Sequence, residues 1–234
     1  THQTRPRGRY RHGCKNYTHN NAGHMIPLIL LPGWGFSLHA AYPIGNQPLS
    51  DEHAPYGWMH RPDILITAIA ALATRSPRKQ VDCLAFSLGA RFLNHYWPQL
   101  APYIRQYYLV GLATHFPTLA SFRKRFNHKP LATLTQFYHH CFRSVSTVAC
   151  PVAFPPETAY PDLDSALNWL EPYTAFEHLQ TPAGHYHGRH DRIASPQTVP
   201  TLQTPLMWLE TGHCPLFDPV FIAQIQAARL NAPV

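Results

Sequence analysis

The segment from residue 81 to residue 90, Val-Asp-Cys-Leu-Ala-Phe-Ser-Leu-Gly-Ala, constrains the fold of this chain more than any other. A short apolar run ends at Ser87, Gly89 follows two positions later, and a stretch able to form a helix runs from Ala90 to Leu100. This layout predicts a strand that turns sharply into a helix and lifts a serine oxygen above a sheet. Small residues must flank the serine, because its backbone is strained in such a turn. Ala85 stands where glycine is usual, and it is still small.

Two later segments supply the partners that a nucleophilic serine requires, which are a base and a carboxylate that orients it. A short strand is predicted at residues 182–186, and Asp191 falls in the loop after it. A clear strand is predicted at residues 206–210, and His213 follows it after a glycine. In folds that carry a serine on such a strand-to-helix turn, the three residues follow the chain order Ser, Asp, His. Because parallel strands end at one edge of a sheet, we expect Ser87, Asp191 and His213 to meet there.

An early segment predicts the groups that would stabilise negative charge. The apolar run at residues 26–31 is broken by Pro-Gly-Trp-Gly at residues 32–35. Acyl transfer develops charge on the carbonyl oxygen of the substrate, and preorganised N–H groups must meet it. We expect the backbone amides of Leu88 and Trp34 to be these donors. The glycines beside Trp34 allow its backbone to approach a substrate closely.

Four segments together resemble the α/β-hydrolase superfamily: residues 31–35, 85–89, 187–196 and 212–215. Within it, Gly33-Trp34-Gly35 and Phe86-Ser87-Leu88-Gly89 look like the esterases of biotin synthesis that demethylate pimeloyl-acyl-carrier-protein methyl ester. The stretch at residues 137–142, Phe-Tyr-His-His-Cys-Phe, is similar to part of the lid of some of these esterases. The likeness covers roughly residues 26–230. The chain departs from the family pattern at Pro32, Ala85 and Ala90, where the family has His, Gly and Gly.

The resemblance implies an α/β fold, with a mostly parallel sheet flanked by helices and a helical cap at about residues 115–180. It implies a serine carboxylester hydrolase that forms an acyl-enzyme through Ser87, His213 and Asp191. No cofactor or metal is expected. The implied substrate is the methyl ester of pimeloyl-acyl carrier protein, which makes an acyl-carrier protein a candidate partner. A general short-chain carboxylesterase and a non-catalytic hydrolase-like binding protein are the alternatives.

Length and composition indicate one domain at residues 25–234, preceded by a basic segment at residues 1–24 that we expect to be poorly ordered or an irregular hairpin. No apolar run approaches the roughly 18 residues of a membrane-spanning helix, and the basic start lacks the apolar stretch of a secretory signal. The chain has 5 cysteines without regular spacing. This pattern argues against a disulfide framework and favours a cytoplasmic location.

Further elements follow from the spacing of apolar residues and prolines. One more strand is predicted at residues 107–112, and none is apparent at residues 36–60. The predicted helices are at residues 63–74, at 119–126, 131–143 and 163–179 in the cap, and at 217–230. Prolines at positions 130, 151, 155, 156 and 172 break the helical spacing of the cap.

The cap segment carries a cluster of basic residues: Arg123, Lys124, Arg125, Lys129 and Arg143. The chain has a formal net charge of +7, and such a balance attracts acidic partners. These side chains form either a solvated helix face or a docking surface for an acidic carrier protein or an anionic substrate. Nucleic acid is a poor candidate, because no recognised binding motif accompanies the charge.

A different chemistry is also open at residues 185–191, His-Tyr-His-Gly-Arg-His-Asp. Alternate residues of a strand share a face, so His185 and His187 could both bind zinc. Zinc hydrolases usually carry such a pair early in the chain, whereas this one is late. We therefore favour serine chemistry and keep a zinc-dependent hydrolase as the alternative.

Overall fold

The computed structural model describes residues 26–49, 56–142 and 152–231. A five-stranded sheet forms its centre, with the strands side by side in chain order and every neighbouring pair parallel. The strands are β1 Leu28–Leu31, β2 Val81–Phe86, β3 Ile104–Val110, β4 Gly184–Gly188 and β5 Leu206–Leu209. The α/β class with a mostly parallel sheet is thereby confirmed. The expectation for residues 1–24 lies outside the described residues.

The first two strands are mostly apolar, as is usual for a parallel sheet with both faces covered. All residues of β1 and β2 are buried, and Leu30 pairs with Leu84 between them. Strand β3 ends at Val110 rather than at residue 112, because Gly111 adopts a φ of 61° and turns the chain out of the sheet.

Helices pack beside the sheet: α1 Pro62–Arg75, α2 Leu88–His95, α3 Trp97–Leu100 and α7 Pro219–Leu230. The single helix predicted at residues 90–100 is divided into α2 and α3. Pro98 is the physical reason, because proline lacks an N–H and its ring clashes with the carbonyl one turn earlier. Helix α7 begins where Asp218 accepts a hydrogen bond from the amide of Phe221 at 2.9 Å.

Three helices between β3 and β4 form the cap: α4 Leu119–His128, α5 Pro130–Cys141 and α6 Tyr160–Ala166. The helix predicted at residues 163–179 is confirmed only in its first part, because α6 gives way to a 3-10 turn at Leu167–Trp169 and no helix follows up to residue 179. Pro172 cannot continue a helix. The buried guanidinium of Arg91 donates to the carbonyls of Trp169 and Pro172 at 3.0 and 2.8 Å, which holds this backbone open.

The segment at residues 36–60 has a single bridge to the sheet in its described part, between Gln47 and Ile29. The Gln47 amide donates to the carbonyl of Leu28 at 2.7 Å. A 3-10 turn at Trp58–His60 then leads into α1. The prediction that this region lacks a regular strand agrees with its described residues.

None of the helices in the described ranges is long and apolar enough to cross a membrane. Cys83, Cys141 and Cys214 are buried, whereas Cys14 and Cys150 lie outside the described residues. A cytoplasmic location therefore stays a prediction.

Candidate active site

Ser87 occupies the sharp turn between β2 and α2. Its φ of 52° and ψ of −111° are unusual for a residue with a side chain. The surrounding backbone holds this conformation, because the Ser87 amide donates to the carbonyl of Val110 at 2.8 Å and its carbonyl accepts from Ala90 at 3.0 Å. A strained serine at the carboxyl end of a buried strand is the arrangement that the sequence predicted.

The structure brings Ser87, His213 and Asp191 into one hydrogen-bonded chain. Nε2 of His213 lies 3.0 Å from Oγ of Ser87, and its Nδ1 lies 2.6 Å from Oδ2 of Asp191. The other oxygen of Asp191 accepts from the amides of Ile193 and Ala194 at 2.8 and 2.9 Å. An acceptor at Nδ1 fixes the proton there and leaves Nε2 free to accept the serine proton.

Asp191 is buried, yet it is held as a carboxylate. Burial by itself raises the pKa of Asp191, but the neighbouring His213 and His187 and the amide of Ile193 outweigh that effect. The pKa of this carboxyl is therefore lowered below its usual value. A permanent negative charge beside Nδ1 stabilises the imidazolium that His213 becomes when it takes a proton.

The ring of His213 is positioned by close neighbours. A side chain at Gly111 would place its Cβ 3.1 Å from Cε1 of His213, so only glycine leaves the ring this space without displacement. The positive φ of Gly111 gives the same requirement independently. The Phe86 ring also lies close, with its centroid 5.0 Å from that of His213.

The two histidines considered as zinc ligands, His185 and His187, lie on β4, just before the loop that carries Asp191. Nε2 of His187 is 3.0 Å from the carbonyl oxygen of Ala194 and 3.5 Å from Oδ2 of Asp191. Both ring nitrogens of His185 are buried without a hydrogen-bond partner in the described structure. Across the residues that the structure describes, no group of three or more His, Cys, Asp or Glu side chains could hold a metal ion.

The loop after β1 lies against the nucleophile. A Cβ atom on Gly33 would come 2.8 Å from the Phe86 ring and 3.3 Å from Cβ of Ser87. The next residue, Trp34, has an amide that donates to no acceptor in the described ranges. Leu88 is the first residue of α2, so its amide has no partner within that helix. The two amides expected to bind an oxyanion therefore belong to backbone beside Ser87.

The side chain of Trp34 connects the sheet to the cap. Its Nε1 donates to the carbonyl of Leu163 at 2.7 Å. Its ring meets the rings of Phe122, Phe126 and Phe137 edge-on, with centroid distances of 5.2, 5.3 and 4.9 Å. Such edge-to-face contacts stabilise aromatic clusters beyond the area they bury. The cap thus packs on the residue that directly follows Gly33, beside the nucleophile.

A cavity of about 200 Å³ opens onto Ser87 and His213. Helices α4 and α5 and the turn after α6 supply most of its wall. The apolar part of that wall includes Trp34, Phe116, Leu119, Phe122, Phe137, Leu167 and Leu170. This lining suits the hydrocarbon part of a small molecule whose reactive group reaches the serine.

The basic residues of the cap have different surroundings. Arg123 forms a bidentate ion pair with Asp164 at 2.9 Å and a further pair with Glu171 at 2.7 Å. Lys124 and Lys129 are exposed. Arg125 lines the cavity beside Ser87. Arg143, the fifth residue of the predicted docking surface, lies outside the described residues.

Some residues of the site carried no sequence signal that we recognised. Arg192 and His140 line the cavity, and each lies inside a segment that resembles the family without being one of the residues on which that resemblance rests. Arg91 is buried on α2 and donates to four carbonyls, those of Ala113, Thr114, Trp169 and Pro172. Its position two residues after Gly89, on the buried face of the elbow helix, is the one hint that the sequence offered.

No protein-family model matches this chain, and no curated protein matches it. Solved structures do. A 2-hydroxy-6-oxo-6-phenylhexa-2,4-dienoate hydrolase from Rhodococcus sp. strain RHA1 is 16% identical with a TM-score of 0.63, covering 90% of this chain and 92% of that one. The α/β hydrolase MGS-M2, from a Medee basin deep-sea metagenome library, is 12% identical with a TM-score of 0.63, covering 90% and 91%.

An enol-lactonase from Burkholderia xenovorans LB400 is 12% identical to this chain. Its TM-score is 0.57, and the match covers 90% of this chain and 94% of that one. Together with the parallel sheet, these likenesses show that the chain has the α/β-hydrolase fold.

Proposed function

We propose that this protein is a serine hydrolase of carboxylic esters. One observation carries the proposal: Ser87 on its strained turn, His213 and the buried Asp191 form a continuous hydrogen-bonded chain that opens onto a cavity. A serine is a weak nucleophile unless an adjacent base takes its proton, and this geometry supplies both the base and its orienting carboxylate. A non-catalytic binding protein has no need of this arrangement.

The reaction would proceed through an acyl-enzyme. Nε2 of His213 takes the proton of Ser87 as Oγ attacks the ester carbonyl, and the amides of Trp34 and Leu88 bind the resulting oxyanion. The C–O bond to the alcohol breaks, and His213 returns the proton to the departing oxygen. Water then attacks the acyl group, His213 takes its proton, and the acid leaves as the proton returns to Ser87. Asp191 stabilises the imidazolium in both steps.

The finer substrate that we propose is the methyl ester of pimeloyl-acyl carrier protein. Its support is the motif resemblance around Trp34 and Ser87. The cavity of about 200 Å³ is smaller than the roughly 300–1,000 Å³ of pockets that enclose drug-sized ligands, so it suits an acyl chain of modest length. The same small size favours a general short-chain carboxylesterase as the second candidate.

Labelling with a fluorophosphonate tests the general proposal. We expect one adduct on Ser87, found by mass spectrometry of the digested protein, and loss of p-nitrophenyl ester hydrolysis as it forms. The variant Ser87→Ala should remain unlabelled. A zinc hydrolase would instead resist the reagent and lose activity to a chelator. An unlabelled wild-type protein with no esterase activity would favour the hydrolase-like binding protein.

Rescue of growth without biotin, in a strain that lacks its own pimeloyl ester esterase, tests the finer substrate. We expect the wild-type gene to rescue and Ser87→Ala to fail. If short p-nitrophenyl esters are hydrolysed and the strain is not rescued, the short-chain carboxylesterase is the better assignment.

Carrier docking can be tested separately through Lys124 and Lys129, which are exposed on the cap. Replacing both with alanine should raise KM for an acyl-carrier substrate, because exposed charges mainly assist the encounter. The effect should weaken as salt rises, since the Debye length is about 8 Å at physiological ionic strength. Arg75→Ala, an exposed change at the end of α1, is the control. Equal losses in both proteins would contradict docking through the cap.

A further inference from the structure

Two arginine side chains lie on the wall of the cavity that contains Ser87. Arg125 projects from α4, and Arg192 follows Asp191 in the loop after β4. Both residues are exposed, whereas Ser87 and His213 in the same cavity are buried. The arginines therefore line the part of the cavity that faces solvent, and the reacting groups line its interior.

Neither guanidinium has a counter-ion within the described residues. Arg125 and Arg192 form no ion pair or hydrogen bond there. Other arginines near the cap and the sheet edge do, since Arg123 pairs with Asp164 at 2.9 Å and Arg189 pairs with Glu210 at 2.8 Å. Among the described residues, no aspartate or glutamate lines the cavity. Its wall thus carries positive charge that the described protein does not neutralise.

The two arginines share a neighbour. His140, on α5, also lines the cavity, and its Nδ1 is buried without a hydrogen-bond partner in the described part of the chain. The pKa of His140 is lowered, first by burial and then by the positive charges of His139, Arg192 and Arg125. The positive charges of both arginines disfavour protonation of the same ring, that of His140. Both arginines therefore act on one region of the cavity, the region beside His140.

We propose that Arg125 and Arg192 form an anion subsite, and that the preferred ester carries a carboxylate or phosphate group on the part of the molecule that is not attacked. Guanidinium groups bind such oxyanions through paired, charge-assisted hydrogen bonds. The apolar residues that line the same cavity would hold the intervening hydrocarbon. One substrate can reach both ends, because all of these residues line a single cavity of about 200 Å³. This inference rests on the proposed ester hydrolysis.

The kinetic experiment compares esters that differ only in the distal charge. Monomethyl esters of linear dicarboxylic acids of increasing length are compared with the corresponding neutral dimethyl esters, and with methyl esters that end in a phosphate group. We expect wild-type kcat/KM to favour a charged ester over its neutral counterpart at one chain length. The better of the two charged series identifies the anion as carboxylate or phosphate.

Variants then assign the preference to the two arginines. Arg125→Gln and Arg192→Gln should each reduce the charged-to-neutral ratio of kcat/KM by roughly 10-fold, the scale of a charge-assisted hydrogen bond near solvent. Arg125→Lys should retain part of the ratio, because it keeps the charge and loses the planar fork. Arg75→Gln, an exposed arginine change away from the cavity, should keep the wild-type ratio. A wild-type enzyme without any preference, or a ratio that both Gln variants retain, would overturn the subsite.

Binding to the unreactive protein separates this inference from the proposed function. Titration calorimetry of Ser87→Ala with the free dicarboxylate or the phosphate-bearing acid should show binding that weakens when Arg125→Gln is added. Such binding without hydrolysis by the wild-type protein would sink the esterase and support the subsite. Hydrolysis of neutral esters by the wild-type protein, with no anion binding to Ser87→Ala, would support the esterase and overturn the subsite.

Discussion

Nε2 of His187 lies 3.5 Å from Oδ2 of Asp191, the same oxygen that lies 2.6 Å from Nδ1 of His213. Two histidines therefore face one carboxylate oxygen. His187 also has the carbonyl oxygen of Ala194 3.0 Å from its Nε2. Burial is the main cause of its lowered pKa, so it is neutral and places its single N–H between these acceptors. We infer that His187 positions the loop that carries Asp191.

Replacing His187 with leucine tests that role. We expect kcat for a p-nitrophenyl ester to fall roughly 3- to 10-fold, which corresponds to loss of about 1 kcal/mol from one neutral hydrogen bond. KM should change little, because His187 does not line the cavity. Steady-state kinetics check both values.

The matched control is His185→Leu, two residues earlier on the same strand. His185 is equally buried, but its ring has no partner in the described structure. We expect its kcat to stay at the wild-type value. A similar loss in both variants would mean that any change in β4 disturbs the site.

Ser87→Ala should abolish most turnover and leave the fold intact. The Ser87 side chain is small and lies at the cavity rather than in the packed core. We expect kcat to fall by roughly 10⁴ to 10⁶, the scale found when a triad nucleophile is removed. Kinetics and thermal unfolding of the same preparation check the two expectations. Near-wild-type turnover would end the serine-hydrolase proposal.

Asp191→Asn should keep the shape of the site and impair its chemistry. The amide can donate to Nδ1 of His213 and so favour the wrong imidazole tautomer, which costs about 10⁴ in kcat in other triads. Asp218→Asn is the control, because Asp218 caps α7 and asparagine caps helices equally well. If Asp191→Asn were silent and Asp218→Asn inactive, the carboxylate would be misassigned.

Gly89 tests how tightly the elbow packs against the first strand. A Cβ atom on Gly89 would come 2.0 Å from the carbonyl oxygen of Leu31, which is backbone and cannot move aside cheaply. We expect Gly89→Ala to yield insoluble or unfolded protein. Ala85→Gly should fold and lose only about 1 kcal/mol of unfolding free energy. Urea denaturation checks both. A well-folded Gly89→Ala protein would contradict the close packing.

The three proposed catalytic residues and the segment at residues 163–179 differ in how well the sequence predicted them. The serine turn and the loops of Asp191 and His213 follow from strand ends, because parallel strands meet at one edge. That rule alone was enough to predict that the side chains of Ser87, Asp191 and His213 meet. The helix predicted at residues 163–179 rested on apolar spacing, with Pro172 as a break within it. That spacing cannot reveal that Arg91, about 80 residues earlier, binds the carbonyls of Trp169 and Pro172 in an open conformation.

The basic residues of the cap are a second case in which contacts between distant residues decide what the sequence cannot predict. Arg123 and Arg125 are two positions apart in one basic run, and the sequence treats them alike. In the structure, Arg123 pairs with acidic residues beside α4 and Arg125 lines the cavity. Which arginine a distant acid neutralises depends on how α6 packs on α4, and no local pattern encodes it.

The last prediction concerns acid stability and His185, which is almost fully buried. Burial, with a smaller contribution from His187, lowers its pKa to about 4. An unfolded histidine has a pKa of about 6.5, so unfolding takes up a proton between these values and the free energy of unfolding falls as pH drops through them. His185→Leu removes this uptake, and between pH 7 and pH 5 it should lose about 2 kcal/mol less than the wild type. Urea denaturation at both pH values measures the difference, with the exposed change His178→Gln as control. Equal losses in His185→Leu and wild type would show that His185 takes up no proton on unfolding in this range.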